Sequence, residues 1–114
     1  QMTLQELGTI RQCEIPVKII ILNNNYLGMV RQWQQLFFDK RYSFTEIYSP
    51  DFIKLAEAYE IKGRKVTRRE ELSAALDELL AIRAPYLLEI VVETEENIFP
   101  MVPSGASVAD VRLE

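Results

Sequence analysis

A short apolar run followed at once by three asparagines is the feature that most constrains this chain. Val17–Leu22 is apolar apart from Lys18 and mostly β-branched, and the asparagines at positions 23–25 lead into a segment with helical spacing. A run of this kind predicts a strand of a parallel sheet that helices cover on both faces. The sequence therefore favours an α/β fold in which a helix follows this strand directly.

The remaining segments continue the same alternation. Tyr86–Val92 predicts a second strong strand, with Glu89 as its lone charge, and Ile61–Val66 predicts a weaker strand. Apolar residues at helical spacing predict helices over residues 2–10, 26–38, 52–59 and 72–80. The order helix, strand, helix, helix, strand, helix, strand implies βαβ units and a parallel sheet.

Local signals predict where the elements begin and end. Ser49 and Pro50 are typical of an N-cap and a first helical residue, and residues 67–70 match a capping box ahead of the last helix. Residues 39–48 lack a clear period and predict a surface loop. We expect an α/β domain over residues 1–98 and an extended tail over residues 99–114.

Composition excludes several classes of protein. The net charge is −4 with scattered basic residues, which argues against a nucleic-acid partner. Cys13 is the only cysteine and histidine is absent, which excludes a His-based zinc site and a Ser/His or Cys/His nucleophile pair. The apolar runs are shorter than the ~20 residues that span a bilayer, so we expect a cytoplasmic chain and no membrane partner. Because a helix-like pattern starts at Gln1 without a leader, we also expect a cut piece of a longer protein.

The asparagines lie at a corner with two interpretations. In open parallel sheets, ligands bind beyond the carboxyl ends of strands, where the backbone N–H groups of a following helix face them. Backbone around Leu27 and Gly28 suits a phosphate, and carboxamide oxygens suit Mg²⁺ or Ca²⁺. Asparagine is equally typical of turns and N-caps. Likewise, Met29, Val30 and Trp33 fit either a core or a pocket, and the spacing leaves both alternatives open.

Two motifs carry a resemblance to a known family. "LNNNYLGMVRQWQ" and "FPMVPSGAS" resemble the large catalytic subunit of acetolactate synthase, in its C-terminal thiamine-diphosphate-binding domain, and the resemblance spans the whole chain. It implies a partial doubly wound parallel sheet flanked by helices. It also implies a transferase that condenses two pyruvates, or pyruvate with 2-oxobutyrate, with decarboxylation, in branched-chain amino-acid biosynthesis.

The resemblance implies a cofactor site. It makes the Asn24 side chain and the Tyr26 backbone carbonyl ligands of Mg²⁺, which bridges to the diphosphate of thiamine diphosphate. Leu27 and Gly28 then lie against the diphosphate, and Met29 faces the thiazolium ring.

The resemblance also implies a substrate pocket. Met29 and Val30 face the substrate channel, and Trp33 shapes the pocket for the second substrate, where it favours 2-oxobutyrate over pyruvate. The same tryptophan lines the herbicide site in sensitive members. Ser104 belongs to a tail that folds over the entrance to the active site. Glu60 and Ala106 depart from the usual family pattern, and neither touches the cofactor motif.

The family's remaining parts are expected outside this chain. The Gly-Asp-Gly segment that supplies an aspartate ligand belongs just before Gln1, and the glutamate that activates the cofactor comes from a neighbouring subunit. FAD belongs to another domain. We therefore expect no catalytic residue here and no activity of the isolated chain. The implied partners are 2-oxo acids, the rest of the catalytic subunit, a homodimer partner and a small regulatory subunit. Exposed interdomain surface should drive the isolated chain to self-associate.

Two alternatives stay open. One is a related thiamine-diphosphate enzyme, such as a pyruvate oxidase, a glyoxylate carboligase or a 2-oxo acid decarboxylase, and Trp33 argues against it because that position belongs to the pocket for two 2-oxo acids. The other is a non-catalytic α/β binding module that kept the fold and lost the chemistry.

Overall fold

A computed structural model describes residues 2–113, and every element that the sequence predicts is present in the predicted order. The elements are α1 (Glu6–Gln12), β1 (Lys18–Asn23), α2 (Gly28–Phe37), α3 (Phe52–Ala58), β2 (Lys62–Val66), a 3₁₀ turn (Arg69–Glu71), α4 (Leu72–Ala81) and β3 (Tyr86–Val91). The α/β prediction is confirmed. Gln1 and Glu114, the ends of the predicted domain and tail, lie outside the described residues.

The chain divides into two compact units. The first comprises the residues up to Asn24 together with Tyr48–Val92 and holds the sheet with α1, α3 and α4. The second comprises Asn25–Ile47 together with the residues from Glu93 onward and holds α2 and the C-terminal segment. The domain boundary after residue 98 stays a prediction.

In the first unit, the three described strands are parallel in the order β1-β3-β2. α4 connects β2 to its neighbour β3, as parallel pairing requires of a crossover. The two faces of the sheet have separate buried cores. On the α4 face the core residues are Val66, Ala75, Leu79, Tyr86 and Leu88, and on the α1 and α3 face they are Leu7, Ala56, Ile61 and Leu87. Helices thus lie on both faces of the central strand β3.

The edge strand β1 differs from the prediction. Ile20 and Leu22, which should be buried in a strand covered on both faces, are 48% and 67% exposed. They pair with Leu88 and Ile90 of β3 on the face that α4 covers, and α4 packs on β2 and β3. The prediction that helices cover both faces of this strand is therefore wrong for this chain, because α4 does not extend over β1.

The starts of two helices also differ from the predictions made from the sequence. α3 is capped by Asp51, whose carboxylate accepts from the backbone N–H groups of Ile53 and Lys54, both at 3.1 Å. Ser49 is not the N-cap and donates to Asn23 instead. Neither Arg68, which precedes the 3₁₀ turn, nor Glu71, which precedes α4, makes a side-chain capping hydrogen bond, so the capping box predicted at residues 67–70 is wrong.

Gly63 of β2 lies where α3 packs closely on the sheet. A Cβ at this position would lie 3.1 Å from the carbonyl oxygen of Leu87 and 3.2 Å from Cδ1 of Ile53. Because the first contact is backbone, we expect Gly63→Ala to lower the free energy of unfolding by about 1–3 kcal/mol. Urea denaturation measures this. Gly8→Ala is the matched control, because its Cβ would lie 3.8 Å from Tyr59, and equal losses at both glycines would contradict the argument.

Candidate functional site

The carboxyl end of β1 is fixed by Asn23, whose side chain is buried. Its Nδ2 donates to Oε1 of Glu89 at 2.7 Å, and its Oδ1 accepts from Oγ of Ser49 at 3.1 Å. Its backbone carbonyl accepts from the N–H of Val92 at 3.1 Å. The carboxamide of Asn23 thus bonds to the protein on both its oxygen and its nitrogen, as expected for a residue that frames the corner.

Glu89 is the partner that anchors this end of the strand. It lies in the central strand β3 and is 1% exposed. Nζ of Lys65 on β2 lies 3.2 Å from Oε1, the oxygen that also accepts from Asn23. Oε2 is buried without a hydrogen-bond partner among the described residues. A polar network therefore runs across the sheet from Ser49 to Lys65.

The second and third asparagines differ from the first in their surroundings. Asn24 is half-buried and follows the last residue of β1. Asn25 is exposed and has a φ of 57°, a left-handed conformation that asparagine tolerates better than most residues. The turn interpretation is thus correct for Asn25, whose left-handed backbone suits asparagine.

The entry to α2 is held by a short antiparallel pairing in the second unit. Tyr26 forms a bridge with Glu46, and the backbone N–H of Leu27 donates to the carbonyl of Thr45 at 2.8 Å. The N–H of Ile47 donates to the carbonyl of Asn25 at 2.9 Å. The predicted loop over residues 39–48 thus supports the segment ahead of the helix.

The first turn of α2 presents backbone N–H groups. The helix begins at Gly28 with Leu27 at the N-cap, and the Leu27 side chain makes no capping hydrogen bond. The backbone N–H groups at the first turn of a helix are of the kind that binds an anionic ligand. At ten residues, α2 is long enough to carry a substantial dipole.

Apolar side chains near the start of α2 are exposed. Met29 and Val30 are each 48% exposed, so the core alternative is wrong for both in this chain. Trp33 is half-buried and packs against Phe37, with ring centroids 4.8 Å apart and planes inclined at 37°. Helix α2 therefore has an apolar surface that the other residues of its unit do not cover.

The buried face of α2 is polar, which the sequence reasoning missed. Arg31 and Gln32 are each 1% exposed. Arg31 donates to Oδ1 of Asn97 at 2.7 Å and to Oε1 of Gln35 at 2.8 Å, and Gln32 exchanges hydrogen bonds with the backbone of Ile98 at 2.9 and 3.0 Å. Asn97 and Ile98 each lie 66 residues from their partner on α2, so helical periodicity carries no signal for these two contacts.

Ser104 lies in the C-terminal segment of the second unit. It is exposed in a turn that closes with a hydrogen bond of 3.0 Å from the N–H of Ala106 to the carbonyl of Pro103. Gly105 in this turn has a φ of 81°. The predicted roles of Ser104 and of the α2 residues as pocket residues stay predictions.

The residue types at the corner fit a diphosphate and a divalent cation in part. By their chemistry, backbone amide donors such as those of the first turn of α2 suit a diphosphate, and neutral oxygens such as the Asn24 carboxamide and the Tyr26 carbonyl suit Mg²⁺. Across residues 2–113, no cluster of three or more His, Cys, Asp or Glu side chains is arranged to hold a metal ion. Since Mg²⁺ requires near-octahedral oxygen coordination, these donors alone do not complete its shell.

None of the described helices is long and apolar enough to cross a membrane.

Comparison with known proteins identifies the domain. Residues 1–90 match the family described as "Thiamine pyrophosphate enzyme, C-terminal TPP binding domain". The resemblance noted in the sequence is thereby confirmed, since acetolactate synthases are among the similar proteins.

Three relatives and one solved structure illustrate the similarity. Acetolactate synthase isozyme 2 large subunit of Escherichia coli (strain K12) is 50% identical over 107 residues, which are 93% of this chain and 20% of that protein. The mitochondrial acetolactate synthase of Schizosaccharomyces pombe is 50% identical over 104 residues, 91% of this chain and 16% of that protein. The mitochondrial acetolactate synthase catalytic subunit of Saccharomyces cerevisiae is 50% identical over 105 residues, which are 92% of this chain and 15% of that protein. This chain therefore spans a fifth or less of the length of these relatives.

The structural neighbour supports the fold assignment. It is the thiamine diphosphate-dependent 4-hydroxybenzoylformate decarboxylase of Rhodococcus jostii RHA1, with a TM-score of 0.71 and 32% identity. The match covers 82% of this chain and 18% of that one.

Proposed function

The chain belongs to the thiamine pyrophosphate enzyme family through its C-terminal TPP binding domain, and we propose that it contributes this domain to an acetolactate synthase. The observation that carries the proposal is the 50% identity to the acetolactate synthase large subunit of Escherichia coli over 93% of the chain. We use "assembled synthase" for this chain together with the rest of such a catalytic subunit. Its reaction condenses two pyruvates, or pyruvate with 2-oxobutyrate, with loss of carbon dioxide.

In this proposal the corner after β1 binds the cofactor. Thiamine diphosphate, when bound, supplies the electron sink that makes decarboxylation of a 2-oxo acid feasible. Asn24 coordinates Mg²⁺ through its side-chain oxygen and Tyr26 coordinates it through its carbonyl. The backbone of Leu27 and Gly28 lies against the diphosphate, with the N–H of Gly28 as the donor, because the N–H of Leu27 already donates to the carbonyl of Thr45. The half-buried position of Asn24 and the start of α2 at Gly28, directly after this segment, support these roles.

The exposed apolar residues of α2 form part of the substrate pocket. Met29 packs against the cofactor, and Met29 and Val30 line the substrate channel, where apolar side chains exclude water from the reacting 2-oxo acid. Trp33 lies against the second substrate and favours the larger 2-oxobutyrate over pyruvate. Ser104 belongs to a tail that covers the entrance. The 48% exposure of Met29 and of Val30 supports a surface that a ligand or another part of the enzyme completes.

The remaining functions reside elsewhere in the assembled synthase. The carboxylate ligand of Mg²⁺, the glutamate that activates the cofactor and the FAD site come from other segments or from the partner of a homodimer. A small regulatory subunit and a cytoplasmic location complete the proposal. The incomplete oxygen set described above supports the expectation that this chain is inactive by itself.

A product assay tests the proposal. With pyruvate, thiamine diphosphate, Mg²⁺ and FAD, we expect the assembled synthase to form acetolactate and the chain alone to form none. Turnover by the chain alone would contradict the assignment of the missing groups to other segments.

The same assay separates a second candidate. The 32% identity to a decarboxylase of known structure favours a 2-oxo acid decarboxylase as the alternative. That enzyme would release an aldehyde, since no second 2-oxo acid captures the product. Aldehyde as the sole product of the assembled enzyme would therefore replace the synthase proposal with this one.

A further inference from the structure

The C-terminal segment forms a closed loop whose two ends are fixed to each other. The N–H of Met101 donates to the carbonyl of Arg112 at 3.0 Å, and the N–H of Arg112 donates to the carbonyl of Met101 at 2.8 Å. Sδ of Met101 accepts from Nε2 of Gln32 at 3.1 Å, and Gln32 is buried in α2. The position of Arg112 is thus set by the backbone of Met101, whose side-chain sulfur is bonded to Gln32 of α2.

The side chain of Arg112 contacts α2 directly. The guanidinium carbon lies 4.9 Å from the ring centroid of Phe37, within the range of a cation–π contact. Phe37 also packs against Trp33, four residues earlier on the same helix, with ring centroids 4.8 Å apart. A guanidinium, a phenyl ring and an indole ring therefore form a continuous series of contacts from the tail to the helix.

We propose that Arg112 and Phe37 are positioning residues that fix the indole ring of Trp33, and that they thereby set the preference between the two 2-oxo acid substrates. The part concerning substrates rests on the proposed function, whereas the part concerning the ring rests on the contacts alone.

Two features of Phe37 explain why Arg112 matters. Phe37 is the last residue of α2 and is 36% exposed, so the helix alone holds its ring only on one side. Arg112 covers the ring with a cation that prefers its face. When that cover is removed, the phenyl ring gains other rotamers, and the indole of Trp33 loses a fixed neighbour.

Fluorescence of the 114-residue chain tests the contacts without any enzymatic activity. Trp33 is the single tryptophan, so the emission reports this position alone. We expect Arg112→Gln to raise the ratio of unpacked to packed indole conformers by roughly two- to five-fold. This is the factor that corresponds to the free energy of an exposed cation–π contact. The shift is read as emission at longer wavelength and stronger quenching by acrylamide.

Three further variants isolate the cause. Arg112→Lys keeps a cation and should restore most of the parental emission, whereas Phe37→Leu removes the ring between the two groups and should reproduce or exceed the effect of Arg112→Gln. Arg83→Gln removes the same charge from an exposed site in the first unit and should leave the emission unchanged. Circular dichroism checks that each variant is folded. Parental emission in folded Arg112→Gln and Phe37→Leu would overturn the inference.

The assembled synthase tests the consequence for substrates. We expect Arg112→Gln to lower the ratio of kcat/KM for 2-oxobutyrate over that for pyruvate by roughly two- to five-fold, with Arg112→Lys closer to the parent. If Trp33→Leu itself leaves this ratio unchanged, the proposed pocket fails, and the fluorescence result alone decides the positioning of the ring. If Trp33→Leu lowers the ratio and Arg112→Gln does not, the inference is overturned.

Discussion

Replacing Asn24 with alanine is expected to weaken binding of Mg²⁺ and thiamine diphosphate to the assembled synthase by roughly 100-fold, about 2.7 kcal/mol. Mg²⁺ tolerates little deviation from octahedral oxygen coordination, so an absent carboxamide is poorly replaced by the remaining ligands. Isothermal titration of thiamine diphosphate at fixed Mg²⁺ concentration measures the affinity without reference to turnover.

Two neighbouring variants make this experiment specific. Asn24→Asp keeps an oxygen ligand at the same position and is expected to retain affinity within about ten-fold of the parent. Asn25→Gly preserves the left-handed backbone at φ 57° while removing a carboxamide from the same run, and is expected to bind as the parent does. If Asn24→Ala binds the cofactor as tightly as Asn25→Gly, Asn24 is not a ligand.

The strands and helices could be predicted because their signals are local. The apolar run of β1, the helical spacing of α4 and the order of the elements all survive in the structure with shifts of one to a few residues. The alternation of strands and helices also predicted parallel pairing correctly. Helix caps were less predictable, because Ser49 and Asp51 are both good N-caps and only tertiary contacts decide between them. Ser49 bonds to Asn23, and Asp51 is left to cap α3.

The burial of α2 could not be predicted in this way. Periodicity finds the apolar stripe of a helix, and the usual inference is that this stripe faces the core. Here Met29 and Val30 are half exposed, while Arg31 and Gln32 are buried by residues 96–98. The burial of Arg31 and Gln32 depends on hydrogen-bond partners in a distant segment. A single sequence does not reveal which distant segments lie together. The proposed roles of Asn24, Tyr26 and Trp33 come from the family motif, and helical periodicity gives no signal for them.

Glu89→Ala is expected to lower the free energy of unfolding of the chain by about 2–4 kcal/mol. Glu89 is 1% exposed, and its Oε1 lies 2.7 Å from Nδ2 of Asn23 and 3.2 Å from Nζ of Lys65. The variant removes the acceptor of both groups and leaves a cavity in the central strand. The expected loss is smaller than that for two fully buried partners, because the Lys65 side chain is 48% exposed and water can solvate its charge. Urea denaturation monitored by circular dichroism measures the loss.

Further variants separate charge from volume at this position. Glu57→Ala on α3 removes an exposed carboxylate of the same type and should change stability by less than about 0.5 kcal/mol. Glu89→Leu fills the space without the charge, so it should be more stable than Glu89→Ala, because replacing a buried charge with an apolar group of similar volume removes its desolvation cost. Glu89→Leu still removes the acceptor that fixes Asn23, the residue before Asn24. If Glu89→Leu lowers stability as much as Glu89→Ala, the hydrogen bond to Asn23 dominates; if both variants cost less than about 1 kcal/mol, the network does not hold the end of β1.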